Sequence, residues 1–128
     1  MDRFFFLFLG GGSGALLRYA LSGATHRVMG AKFPWGTLSV NFLGCLLMGI
    51  LWGISERYIV PQRARLFLFT GLLGAFTTFS TFGLETFSLL RDGQHATAAG
   101  NILASNIGGI ALLVLGFAAT KGLFRFFS

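Results

Sequence analysis

Four runs of apolar residues divide this chain, at about 4–21, 37–55, 66–90 and 96–120. The hydrocarbon core of a bilayer is crossed by roughly 20 predominantly apolar helical residues, so the pattern predicts four transmembrane helices. The stretches between them are short and polar. Pro34-Trp35-Gly36 precedes the second run and Glu56-Arg57-Tyr58 follows it, while Pro61 and Arg91-Asp92-Gly93 mark turns. Trp35 and Tyr58 fall where interfacial aromatic anchors sit. The first run opens with Arg3 ahead of a Phe-rich stretch, as a signal peptide does. The apolar sequence resumes at once through Ala15, Leu16 and Leu17, however, and so reads as a span. Four such spans fill about two thirds of the chain and leave no length for a separate soluble core. The expected fold class is all-α integral membrane, a single four-helix domain over 1–128.

Composition sharpens this reading. Apolar residues make up 54% of the chain and charged residues 11%, against about 25% charged in soluble domains. The net charge of +6 does not point to nucleic acid, because the ten Lys and Arg stand at the ends of the apolar runs. There they meet lipid headgroups or snorkel toward them. With four spans, Arg3, Arg57, Arg63, Arg65, Lys121 and Arg125 share one side, and Arg18, Arg27, Lys32 and Arg91 share the other. Such a small asymmetry fits insertion in both orientations, or one orientation with a modest bias. Cys45 is the one cysteine, which excludes a disulfide or a thiolate metal site within one chain.

Small and polar residues inside the runs carry the next layer. Gly10 and Gly14 form one GxxxG, Gly49 and Gly53 another, and Gly108, Gly109 and Gly116 line the fourth run. Close backbone approach drives helix association in lipid, either within one bundle or between subunits. Asn41, Asn101, Ser105, Asn106, Arg18 and Glu85 are polar or charged within or near the ends of spans, where each is costly without a use. Asn101 and Ser105 stand at i and i+4 and share a helix face, while Asn106 projects from another. Glu85 reads as a buried proton-carrying acid or as an acid reaching the interface, and Arg18 has the same choice near the end of the first span, with snorkelling as the default.

The densest signal is the stretch from Gly71 through Gly74-Ala-Phe-Thr-Thr-Phe-Ser-Thr-Phe82 to Glu85. Glycines and clustered hydroxyls at the middle of a span predict a third helix broken mid-membrane. Unwound backbone is tolerated at that depth only where protein buries it or a wet cavity receives it, and the freed carbonyls and amides then face ions. Phe79 and Phe82 lie three apart, on one helix face. They are either packing aromatics or rings whose positive edges face an anion without trapping it.

The stretch Gly74–Phe82 followed by Glu85 resembles the signature of the Fluc (CrcB) fluoride channels. The likeness extends to Gly11-Gly-Ser-Gly-Ala-Leu-Leu-Arg18-Tyr19, to Trp35-Gly-Thr-Leu-Ser-Val-Asn41 and to Leu115-Gly-Phe117, so it runs through all four spans in order. The resemblance implies a dual-topology antiparallel homodimer in the bacterial cytoplasmic (inner) membrane, with two parallel fluoride pores. It matches Phe79 and Phe82 to pore phenylalanines and Asn41 to a pore asparagine. It places Ser105 on the polar track of the fourth helix and Arg18 and Glu85 near the pore ends. Gly74 and Thr77 match positions whose backbone carbonyls, from both subunits, hold a central structural sodium ion. The chain departs from the family where Gly83 replaces a usual Ser, and where Gly109 and Leu113 replace Ser and Thr of the polar track. Water or backbone in place of those hydroxyls, a weaker pore, or a heteromeric partner are the alternatives these changes open.

The chemistry agrees with a fluoride path. Fluoride holds its water tightly, so its path must offer replacement donors, which Asn41, Ser80, Thr81, Asn101 and Ser105 supply. Conduction needs sites that admit the ion and release it, and no Lys or Arg lies in the middle of a span as a deep anion trap. An enzyme is not expected: His26 and His95 read as loop residues, and no nucleophile–base pair or metal spacing stands out. The rival functions are a proton-coupled multidrug exporter, for which Glu85 is the one candidate carboxylate, and a non-transporting membrane subunit.

Overall fold

The computed structural model describes residues 2–126. Helix α1 is Asp2–Met29 and α2 is Trp35–Arg57. The third apolar segment, Gln62–Arg91, comprises α3 over residues 62–76 and α4 over Phe79–Arg91, with extended backbone at Thr77 and Thr78 between them. The last helix, α5, is His95–Phe126. The four segments 2–29, 35–57, 62–91 and 95–126 are each long and apolar enough to cross a membrane.

All four outrun their apolar runs, because helix ends are set by backbone stops rather than by the end of hydrophobicity. Gly30, at φ +80°, gives its amide to the His26 carbonyl at 3.0 Å and closes α1 eight residues beyond the first run. His26 and His95, expected in loops, therefore stand in the last turn of α1 and at the start of α5. Gly93, at φ +74°, turns the chain between α4 and α5.

Two stretches are π-helical, Leu66–Leu73 in α3 and Ala104–Gly108 in α5. Each widened turn shifts the register of the side chains that follow, a feature that recurs at functional sites.

The glycine pairs are used within the chain. A Cβ on Gly10 would strike the backbone of Phe67 and Leu72, and one on Gly14 would strike Leu72 and Phe76, so both belong to the α1–α3 contact. Gly49 meets the backbone of Leu113 and Phe117, Gly53 meets Thr120, and Gly116 meets the Leu46 carbonyl, which welds α2 to α5. Of the two readings of these motifs, bundle packing accounts for both.

Little apolar side chain is enclosed. The buried apolar residues are Leu38, Val40, Leu73, Phe76, Phe82 and Ala98, while Phe4, Phe8, Leu16, Phe87, Ile107, Ile110 and many others face outward. A surface this apolar needs lipid or protein against it.

The glycine contacts can be tested by adding side chains. Gly49→Val and Gly14→Val force a branched side chain into opposing backbone, and overpacking of this kind costs about 1–3 kcal/mol or more. Both should lower the thermal midpoint in detergent and the yield of monodisperse protein. Gly12→Ala and Gly122→Ala, whose new Cβ atoms meet nothing within 4 Å, should match the parent. Equal stability of all four variants would show that the helices do not meet at these glycines.

Candidate ion pathway

The interruption between α3 and α4 begins with two hydrogen bonds that leave the helix. In a continuous helix the Thr78 amide would bond the Gly74 carbonyl and the Thr81 amide the Thr77 carbonyl. Here the Thr78 amide donates to Asn41 Oδ1 at 2.8 Å, and the Thr81 amide donates to Thr78 Oγ1 at 3.2 Å. The Gly74 and Thr77 carbonyls thereby lose their helical donors. Thr77 at ψ 156° and Thr78 at φ −148°, ψ 119° are both extended.

Asn41 closes the exchange from α2. Its Nδ2 donates to the Thr78 carbonyl at 3.0 Å, so one side chain pairs with both backbone groups of a residue outside the helix. A carboxamide carries two N–H donors, and the second has no partner among the described residues. Thr78 caps α4 and organises the hydroxyls around it. Its Oγ1 donates to Thr81 Oγ1 at 3.0 Å and lies 3.3 Å from Ser80 Oγ. Ser80, Thr81 and Gly74 are exposed on the surface of the single chain.

Phe79 and Phe82 project from the first turn of α4 with ring centroids 5.4 Å apart and planes tilted by 47°. Phe79 is 80% exposed and Phe82 only 9%, so one ring is offered outward while its neighbour is seated in the protein. One turn further, Glu85 Oε1 accepts from Thr37 Oγ1 at 2.7 Å, and Oε2 is buried with no partner among the described residues. Glu85 also lines a cavity of about 1180 Å³ between the end of α1, the 31–34 loop and α4, where His26, Arg27 and Lys32 stand. In α5, Asn101 donates from Nδ2 to Thr86 Oγ1 at 2.9 Å, and Ser105 Oγ lies 3.4 Å from Asn101 Oδ1. Asn106 is exposed and returns its amide to the Ile102 carbonyl of its own helix at 2.8 Å.

The family described as "CrcB-like protein, Camphor Resistance (CrcB)" matches residues 5–117. The chain belongs to the CrcB family. It is 45% identical over 123 residues to the "Fluoride-specific ion channel FluC" of Parabacteroides distasonis, covering 96% of each chain. It is 44% identical to the protein of the same name in Nitrosococcus oceani, over 88% of this chain and 91% of that one. The likeness to the namesake of Maridesulfovibrio salexigens is 44%, over 92% and 94%. With four segments able to span a bilayer, this CrcB chain is a multi-pass integral membrane protein.

Within the CrcB chain, the structure gathers Asn41, Ser80 and Thr81 at the interruption with Phe79 and Phe82 just beyond it. Asn101 and Ser105 lie on the α5 side of α4, and Glu85 lies at the cavity. Arg18 is half-buried in α1 with no hydrogen bond or ion pair among the described residues, and it is not among the residues lining the cavity. The positions that depart from the family pattern have different surroundings. Gly83 has open space where a Cβ would stand, Gly109 packs on Cys45, and Leu113 is exposed while its carbonyl abuts Gly49. Sequence reasoning missed Thr37, Thr78 and Thr86 as partners of the polar residues. Thr78 was visible inside the motif, but Thr37 and Thr86 acquire their roles only from helices that meet in space.

The Asn41–Thr78 exchange has a measurable cost. Asn41→Leu leaves the Thr78 amide and carbonyl unsatisfied, at roughly 1–3 kcal/mol for each buried group, and Thr78→Val removes the cap at about 1 kcal/mol. Thermal unfolding in detergent should rank the parent above Thr78→Val, and Thr78→Val above Asn41→Leu. An Asn41→Leu protein that melts with the parent would remove Asn41 from the support of the interruption.

Proposed function

We propose that this chain is the subunit of a fluoride-selective channel that lets fluoride leave the cell passively across the bacterial inner membrane and so relieves its toxicity. It is a channel and not an enzyme. The observation that carries this reading is the hydroxyl-rich interruption with a exposed Phe79 beside it, in a chain about 45% identical to relatives named fluoride-specific ion channels. Phe79 and Phe82 present electropositive ring edges, and Asn41, Ser80 and Thr81 offer N–H and O–H donors that replace the water fluoride gives up. Such a path binds the anion without a fixed cation to hold it, which is what conduction requires. Arg18 and Glu85 stand toward the pore ends.

The assembly is an antiparallel dual-topology homodimer with two pores. Its support is the near balance of Lys and Arg between the two sides and the apolar outer face that also exposes Gly74, Phe79, Ser80 and Thr81. The interruption then lies at mid-membrane depth against the partner. Gly74 and Thr77 carbonyls, stripped of helical donors, are hard oxygen ligands of the kind an alkali cation takes. Two from each copy would hold a central structural sodium ion, which supplies charge that fixes the unwound backbone in place.

Flux from liposomes tests the pore. Phe79→Ile and Phe82→Ile keep apolar bulk but lose the ring edge, so fluoride efflux should fall at least roughly tenfold, an added barrier of about 1.4 kcal/mol, while the protein still inserts. Phe4→Ile and Phe5→Ile should conduct normally. Parental flux in both pore variants would refute the anion path. Reporter fusions should find both orientations, and exchange of sodium for a large organic cation should weaken assembly or flux. A single orientation would end the antiparallel arrangement, and indifference to sodium would end the cation site.

A further inference from the structure

Helix α4 buries only Phe82 and Thr86, and side-chain hydrogen bonds hold it in place. Asn41 grips its N-terminal cap residue from α2, and Thr37 grips Glu85 from the same helix. The third grip comes from α5. Thr86 Oγ1 donates to the Phe82 carbonyl at 2.8 Å and accepts from Asn101 Nδ2 at 2.9 Å. Asn101 Oδ1 in turn faces Ser105 Oγ at 3.4 Å, at the entry to the π-helical turn of α5. Asn101 is 1% exposed and Thr86 8%. Both ends of the Asn101 carboxamide are therefore engaged inside the chain.

Thr86 follows Phe79 by seven residues and Phe82 by four, so the three share one stripe of α4. With so little apolar anchorage, α4 takes its rotation from its polar contacts, and Thr86 is the one of them on the stripe that carries the rings. We propose that Asn101 and Thr86 form a clasp that sets the rotation of α4, and with it the direction in which Phe79 and Phe82 face. Asn101 is a positioning residue in this arrangement: it acts through Thr86, and Ser105 holds its amide the right way round. The proposal rests on the fluoride-channel reading for its functional consequence, but the clasp itself is a statement about α4. Because the two rings stand three residues apart on one helix, a rotation moves them together, and selectivity suffers along with rate.

A double-mutant comparison in liposomes separates a clasp from a direct donor. Thr86→Val and Asn101→Leu each remove one partner at similar volume. Each should lower fluoride efflux, or its preference over chloride, by about tenfold, and the double variant should be no worse than the more impaired single one. Thr86→Ser, which keeps the hydroxyl, should match the parent. Full activity in Thr86→Val, or losses that multiply in the double variant, would return Asn101 to the path as an independent donor and overturn the clasp. If Thr86→Val does not insert, Thr86→Ala and Asn101→Ser give the same comparison without placing an apolar branch opposite the amide. A fluorinated phenylalanine at position 79, read by fluorine NMR, reports the ring's surroundings whether or not the protein conducts. Its resonance should shift in both clasp variants and stay put in Thr86→Ser. An unmoved resonance overturns the positioning role, whereas absent parental efflux with a shifted resonance overturns only the fluoride reading.

Discussion

Two hydrogen bonds between one carboxamide and one residue's backbone allow the third segment to stop being a helix. In hydrocarbon each unsatisfied amide or carbonyl costs several kcal/mol, so a chain cannot leave the helical ladder without partners supplied from elsewhere. Asn41 supplies a donor and an acceptor to Thr78, and the Thr78 hydroxyl supplies an acceptor to Thr81. The price is that Gly74 and Thr77 keep carbonyls with no helical donor, and in the proposed channel those carbonyls become the cation ligands. One exchange thus supports the interruption and leaves two backbone carbonyls without helical donors.

The rest of the chain is organised to bring α2 and its Asn41 to that point. Glycines let α1 close on α3 and α2 close on α5 at backbone distance, where dispersion replaces a hydrophobic drive that lipid does not provide. These two tight pairs are a rigid frame. Helix α4 is different, since few of its side chains are buried and its bonds to Asn41, Thr37 and Asn101 run across helices. The element that carries Phe79 and Phe82 is therefore held by polar contacts whose geometry is directional, against a frame held by close packing whose geometry is not easily changed.

The two ends of the bundle treat charge differently. Where α1 begins, Arg63 pairs with Asp2 at 2.8 Å, Lys121 pairs with Glu56, and Arg57, Arg63, Arg65 and Lys121 lie over Phe rings. Exposed pairs of this kind contribute little to stability, but they fix long cationic side chains at the interface. At the other end Arg27 and Lys32 line the cavity that reaches Glu85. Asp92 lines the same cavity, so two formal positive charges share it with two carboxylates.

Hydropathy and length alone determined that four segments can span a bilayer, because burying apolar length in lipid is a local property of each run. The motif around Phe79 also carried the family in its residues, since the same short stretch must supply glycine, hydroxyls and aromatic rings at fixed spacing. The ends of the helices were not legible: Gly30 and Gly93 stop α1 and α4 through backbone conformation, and both His26 and His95 lie inside helices. Nor could the sequence tell whether its GxxxG pairs faced their own chain, because spacing fixes a stripe and not its occupant. Tertiary structure decided that, and it decided the partners of the polar residues. Asn41 with Thr78, Thr37 with Glu85, and Thr86 with Asn101 are separated by 37, 48 and 15 residues. A hydrogen bond from a side chain on one helix to a group on another segment depends on how the two are rotated and staggered, and only the packed bundle fixes those quantities.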